Sequence, residues 1–171
     1  MITKRSIFAL GLGGAAAVIG ARWLGGTQAT AADGAFEVVK SEAEWRAQLT
    51  PMQYAVLREE ATERAFTSAL NDEKRQGIYH CVGCDQALFS SETKYDSGTG
   101  WPSFWQEIDG AVGYKQDFKL FIPRTEEHCS RCGGHLGHVF DDGPPPTGER
   151  HCINGVALRF RPADGSEPVY G

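Results

Sequence analysis

Five cysteines carry most of the reactive chemistry in this chain, and their spacing sorts them. Cys81-Val82-Gly83-Cys84 and Cys129-Ser130-Arg131-Cys132 form two Cys-x-x-Cys pairs, with 44 residues between Cys84 and Cys129. Each pair implies a tight turn, for which Gly83 and Gly133 supply the backbone. Two such turns can present four thiolates at tetrahedral corners, about 2.3 Å from a zinc ion. Two disulfides, or a redox dithiol, would use the same residues. Two pairs in one chain favour zinc over either. Four thiolates leave no coordination position for a water, so one zinc per chain would be structural and would stabilise rather than catalyse.

Cys152 is then left over, in Arg150-His151-Cys152-Ile153-Asn154. A nucleophilic cysteine must be a thiolate, and nearby cations favour that form. Arg150 and His151 are sequence neighbours, and His135 and His138 lie in a strand-like segment that could pair alongside and supply a proton donor. The bland alternative is a buried, inert small hydrophobe. All five histidines fall within or beside the cysteine segments; His80 and His128 each adjoin a Cys-x-x-Cys pair and read as knuckle or surface residues. Trp101 and Trp105 flank Pro102 and Ser103, a pattern more common in a core than in a ligand platform.

The elements that must position these groups are short. Ser41-x-x-Glu44, followed by Trp45 and Leu49, is a capping box opening a helix. Thr50-Pro51-x-Gln53 opens a second, with Tyr54, Val56 and Leu57 toward the core. Residues 33–40 read as a linker or edge strand, and the connection holding Glu63, Arg64, Phe66 and Thr67 has no legible period. From Ile78 the pattern is strand and turn. The candidate strands are Ile78–His80, Val112–Gln116, Phe118–Pro123, Leu136–Phe140 and Ile153–Arg161, the last with Val156, Leu158 and Phe160 in alternation. The 21 glycines and the turn-rich Asp96–Gly100 and Asp141–Pro146 also suit a sheet fold. The expected class is mainly β (α+β), with small antiparallel sheets, short N-terminal helices and a four-cysteine zinc site.

The N-terminus reads as an address. Lys4 and Arg5 precede an apolar run from Ile7 to Ile19, and Ala29-Thr30-Ala31 is a small-x-small cleavage site. Residues 1–31 are thus expected to be an export signal, twin-arginine-like or general secretory, delivering the protein to the periplasm. An uncleaved membrane anchor is the competing reading. Residues 32–42 follow as a linker, 43–162 as the catalytic domain and 163–171 as a mobile tail. The net charge is −5, and removing Lys4, Arg5 and Arg22 leaves 14 basic residues against 22 acidic ones. That balance argues against nucleic acid as a partner. Nothing in the sequence asks for an obligate interface, so a monomer is expected.

Taken together, several segments resemble methionine sulfoxide reductase B. They are Gly77-Ile78-Tyr79-His80-Cys81-x-x-Cys84, Leu88-Phe89-Ser90-Ser91, Lys94 to Phe104, Cys129 to Gly143 and Arg150 to Asn154. The resemblance runs from about Glu44 to Phe160. It implies a mostly β fold and reduction of methionine R-sulfoxide in oxidised proteins or peptides. It implies Cys152 as nucleophile, with His138, His135, Asn154 and Arg150 as active-site polar residues. Trp101 corresponds to the wall that receives the methyl group, and Cys81, Cys84, Cys129 and Cys132 correspond to zinc ligands.

Two departures stand out. Where many members of that family carry a resolving cysteine, this chain has Thr99, so a Cys152 sulfenic acid would be reduced by a thioredoxin-like protein or another external thiol. At 151, commonly aromatic, it has histidine. A zinc-ribbon binding module without catalysis would account for the four cysteines but not for Cys152 or the Gly-Trp-Pro-Ser-Phe loop. A Cys-x-x-Cys oxidoreductase would require those pairs to be free of zinc.

Overall fold

The computed structural model describes residues 36–118 and 123–171. The export segment 1–31 lies outside them, as does the middle of the expected strand Phe118–Pro123, whose two described ends are not in a strand. Among the described residues no helix is long and apolar enough to cross a membrane.

Both helices begin at their capping boxes. Ser41 caps α1 (Glu42–Gln48), its Oγ accepting from the Glu44 N–H at 3.3 Å while Glu44 Oε2 accepts from the Ser41 N–H at 2.8 Å. Thr50 and Gln53 repeat the arrangement at α2 (Pro51–Glu59), with Pro51 in the first turn, where its missing N–H is harmless. Each cap contributes about 1 kcal/mol. Trp45, Leu49, Tyr54, Val56 and Leu57 turn inward.

Two antiparallel sheets make the body. The smaller has the order β10-β9-β1-β2, from β1 (Gly77–Cys81), β2 (Ala87–Ser90), β9 (Leu158–Pro162) and β10 (Val169–Tyr170). The larger runs β3-β4-β8-β7-β6-β5. Its members are β3 (Lys94–Tyr95), β4 (Ser103–Phe104), β5 (Val112–Asp117), β6 (Arg124–Cys129), β7 (His135–Phe140) and β8 (Arg150–Ile153). Tyr79, Phe89, Phe104 and Phe160 are fully buried, with Phe89 stacked on Phe104 at 4.3 Å between ring centroids. Each such side chain contributes about 1.5–3 kcal/mol through burial.

Three expectations need correcting. The strand expected over Ile153–Arg161 is two strands in different sheets, β8 and β9, separated by a turn at Asn154–Ala157. The cause is a long-range pair of hydrogen bonds: the Gly155 and Val156 amides leave the ladder and donate to the Glu63 carboxylate. The segment 163–171, expected as a mobile tail, contributes β10, whose Val169 and Tyr170 pair with Phe160 and Arg159. β6, like the short β2, β3 and β4, was not expected at all. It reads Arg-Thr-Glu-Glu-His-Cys, and of its buried side chains Glu126, Glu127 and Cys129 two are acidic rather than apolar.

Candidate active site

Cys152 sits on β8 between two neighbours, opposite Ser103 on β4 and opposite His138 on β7. Strand alternation sends Cys152 and Arg150 to one face and the buried His151 and Ile153 to the other. The sheet therefore brings Cys152 and His138 side by side from positions fourteen apart in sequence. Gly137 is required for this, because a Cβ there would collide with the Cys152 carbonyl oxygen.

A cleft of about 120 Å³ opens over Cys152, walled by Trp101, His138, Phe140, Asn154, Thr62 and Arg124. Trp101 is fixed through its indole N–H, which donates to the Glu63 carbonyl at 3.2 Å. Asn154 Oδ1 accepts from the Glu63 N–H at 2.9 Å, and Asn154 Nδ2 donates to the Leu136 carbonyl at 2.9 Å. The Glu63 carboxylate accepts from Gly155 N at 2.5 Å and Val156 N at 3.0 Å. One residue thus joins the tryptophan, the asparagine and the exit of the cysteine strand.

The electrostatics leave Cys152 and His138 neutral at rest. Burial pushes the Cys152 thiol above its ordinary range, and the opposing pull of Arg150 and of the Thr99 hydroxyl does not offset it. Arg150 is held by two bonds to Asp142, at 2.8 and 2.9 Å, and lies over the Phe140 ring. Burial likewise pushes His138 below its ordinary pKa, against a bond of 2.8 Å between its Nε2 and Asp117 Oδ2. Arg124 Nη2 donates to the same carboxylate oxygen at 2.6 Å. His135 lies behind, its ring 5.5 Å from that of His138 and its Nδ1 2.7 Å from Glu126 Oε1. Proton exchange between the Cys152 thiol and the His138 imidazole would turn this resting pair into a nucleophile and an acid at one cleft.

Thr99 is at the edge of the cleft, its Oγ1 3.9 Å from Cys152 Sγ. Ser97 Oγ is 2.8 Å from Thr99 Oγ1 and 2.7 Å from Ser103 Oγ, so hydroxyls line this side of the sulfur. On the opposite face, His151 is enclosed by carboxylates: its Nδ1 is 3.1 Å from both Glu127 oxygens, and Glu107 lies 3.4 Å from Nε2. This partner explains how a fully buried histidine is tolerated at that position.

The other four cysteines form a separate cluster. Their sulfurs all lie within 4.8 Å of one another, with Cys81 3.8 Å from Cys132 and Cys84 3.5 Å from Cys129. A zinc ion with bonds of about 2.3 Å sets sulfurs about 3.8 Å apart at tetrahedral edges, so the donor set fits a metal. None of the five cysteines is in a disulfide. Cys81 ends β1 of the smaller sheet, and Cys129 and Cys132 bracket the turn from β6 into β7 of the larger. A metal here would tie the two sheets together at the foot of the strand that bears His135 and His138.

Every site residue expected from the sequence therefore lies in one of these two clusters. Sequence reading missed Glu63, Thr62, Asp117, Arg124 and Glu126. Glu63 and Thr62 lie in the connection without a period, and Arg124 and Glu126 on a strand without apolar alternation.

The SelR domain matches residues 49–162. A protein of Leptospira interrogans, named peptide methionine sulfoxide reductase MsrB, is 54% identical over 127 residues, covering 74% of this chain and 97% of its own length. One of the same name from Methanosarcina barkeri is 56% identical over 125 residues, covering 72% and 88%. A third, from Pseudomonas putida, is 54% identical over 131 residues, covering 76% and 98%.

Proposed function

The chain belongs to the SelR family, the peptide methionine sulfoxide reductases MsrB, and on that premise we propose that it reduces the R epimer of methionine sulfoxide in proteins or peptides, with Cys152 as nucleophile. The observation that carries this reading is the juxtaposition of Cys152 with His138 beneath Trp101 in one cleft.

In the proposed reaction the Cys152 proton passes to His138, and the thiolate attacks the sulfoxide sulfur. The imidazolium protonates the oxygen, making it a group that can leave. The hydroxyl then shifts from the methionine sulfur to the Cys152 sulfur as the new S–S bond breaks with its electron pair left on methionine, so Cys152 becomes a sulfenic acid and two electrons move from the cysteine sulfur to the methionine sulfur. One external thiol then forms a mixed disulfide with Cys152 and releases water. A second thiol, the partner cysteine in a thioredoxin-like protein, releases Cys152 and leaves as the reductant's disulfide. Thr99 at the cleft edge, and the gathering of the other cysteines in their own cluster, support an external reductant.

Asp117 would hold the His138 ring, and Arg150 would stabilise the thiolate. Trp101 would receive the substrate's methyl group, with the imidazole facing the oxygen. The S epimer would direct its oxygen at the indole, where no donor waits. Cys81, Cys84, Cys129 and Cys132 would hold a structural zinc, which supplies no step of the reaction. The N-terminal segment would export the enzyme to the periplasm, and the working form would be a monomer.

The test uses separated R and S sulfoxides of a methionine peptide, a small dithiol as reductant, and Cys152→Ser alongside. Reduction of the R epimer alone, abolished by the substitution, is expected. Turnover of neither epimer by a folded, metal-loaded protein would refute the reading.

A further inference from the structure

Phe66 occupies an unusual place beside this cleft. Its backbone φ is 64°, in the left-handed region, where a bulky side chain is strained. Its amide donates to the Gly100 carbonyl at 2.7 Å, and Gly100 itself has φ 91°. The phenyl ring lies so close over Gly100 that a Cβ there would come within 2.8 Å of two ring atoms. Two adjacent special backbone positions thus cooperate to hold an aromatic ring that is 74% exposed and adds little to the core. Strain maintained without packing gain is a feature of ligand clamps.

The ring lines a second cleft, of about 140 Å³, as roomy as the first. Trp101 lines both clefts, so a peptide whose methionine sulfoxide enters the first meets the second across the indole. Pro102 and Tyr95 continue its apolar side. Its other wall is polar, formed by Asn71, Asp72, Lys74, Lys94 and Asp96, and Lys94 Nζ donates to the Asn71 carbonyl at 2.9 Å. Two cations against two anions leave no net sign to select a charged occupant.

Resting on the function proposed above, we infer that the Phe66–Trp101 cleft is a specificity subsite for an apolar side chain next to the methionine sulfoxide of a polypeptide substrate. The enzyme then favours sulfoxides in segments that are apolar and exposed.

The experiment measures kcat/KM for pentapeptides carrying Leu or Ser on either side of R-methionine sulfoxide. The wild type, Phe66→Gly and Phe66→Leu are compared, and the wild type is also assayed on N-acetyl methionine sulfoxide. Glycine suits a positive φ, so Phe66→Gly should melt no lower than the wild type. The wild type should prefer leucine on one side by roughly tenfold, the scale of one apolar contact in a specificity pocket. Phe66→Gly should lose that preference and Phe66→Leu keep part of it. Equal rates for the wild-type peptides, or a preference that survives Phe66→Gly, would overturn the subsite. Turnover of N-acetyl methionine sulfoxide separates that failure from failure of the underlying activity. Its absence would remove both.

Discussion

Replacing Glu63 with alanine tests whether the site is held from behind. Its carboxylate is the acceptor for the Gly155 and Val156 amides, both buried just after the cysteine strand. Leaving a buried amide without a partner costs about 1–3 kcal/mol. Burial raises the Glu63 pKa despite these two bonds, so part of that loss is offset by relief of the buried charge. A net destabilisation of about 3 kcal/mol follows. At roughly 2.1 cal/mol/K per residue, a unit of about 140 residues melts lower by about 10 °C. Glu63→Gln retains one acceptor and should fall between the two. The same loop carries the backbone groups that hold Asn154 and Trp101, so selectivity between R and S sulfoxides should fall as well. Thermal melts and kinetics on the separated epimers measure both effects. An alanine variant that melts like the wild type with unchanged epimer selectivity would refute the reasoning.

Other outcomes follow from the same geometry. Burial lowers the His138 pKa and raises that of Cys152, and the neutral pair carries the same number of protons as thiolate with imidazolium. The pH profile of kcat/KM should therefore be a plateau from below about 6.5 to above about 8.5, falling on either side. The lowered His138 pKa also means a stability increment present above its unfolded value and lost as pH falls through the folded one, which acid melts of the wild type and His138→Gln would compare. Purified protein should hold one zinc per chain, and its removal by a chelator should lower the melting temperature, because the four sulfurs join the two sheets. Thr99→Cys should form a disulfide with Cys152 after one turnover, visible by mass spectrometry, since Thr99 Oγ1 already lies 3.9 Å from the sulfur.

The chemistry was legible where residue type alone decides it. Cysteine spacing separates a four-cysteine cluster from a lone thiol without any knowledge of fold, and capping boxes mark helix starts through local hydrogen bonds. What stayed hidden depends on long-range partners. β6 escapes a search for apolar alternation because its buried glutamates pair with histidines on β7 and β8. The break after Ile153 is set by Glu63, 92 positions away from Gly155, and no local pattern reports it. Asp117 and Arg124 reach His138 only because β5, β6 and β7 pair in order.

The central claim is that Cys152 alone takes the sulfoxide oxygen. A single turnover tests it most directly: R-methionine sulfoxide peptide added to the reduced protein with no external thiol present, followed by mass spectrometry. One methionine per chain, with a trappable sulfenic acid on Cys152 and the other four cysteines unchanged, is the predicted result. Methionine formed together with a disulfide between Cys152 and another cysteine, or no methionine at all, would contradict it.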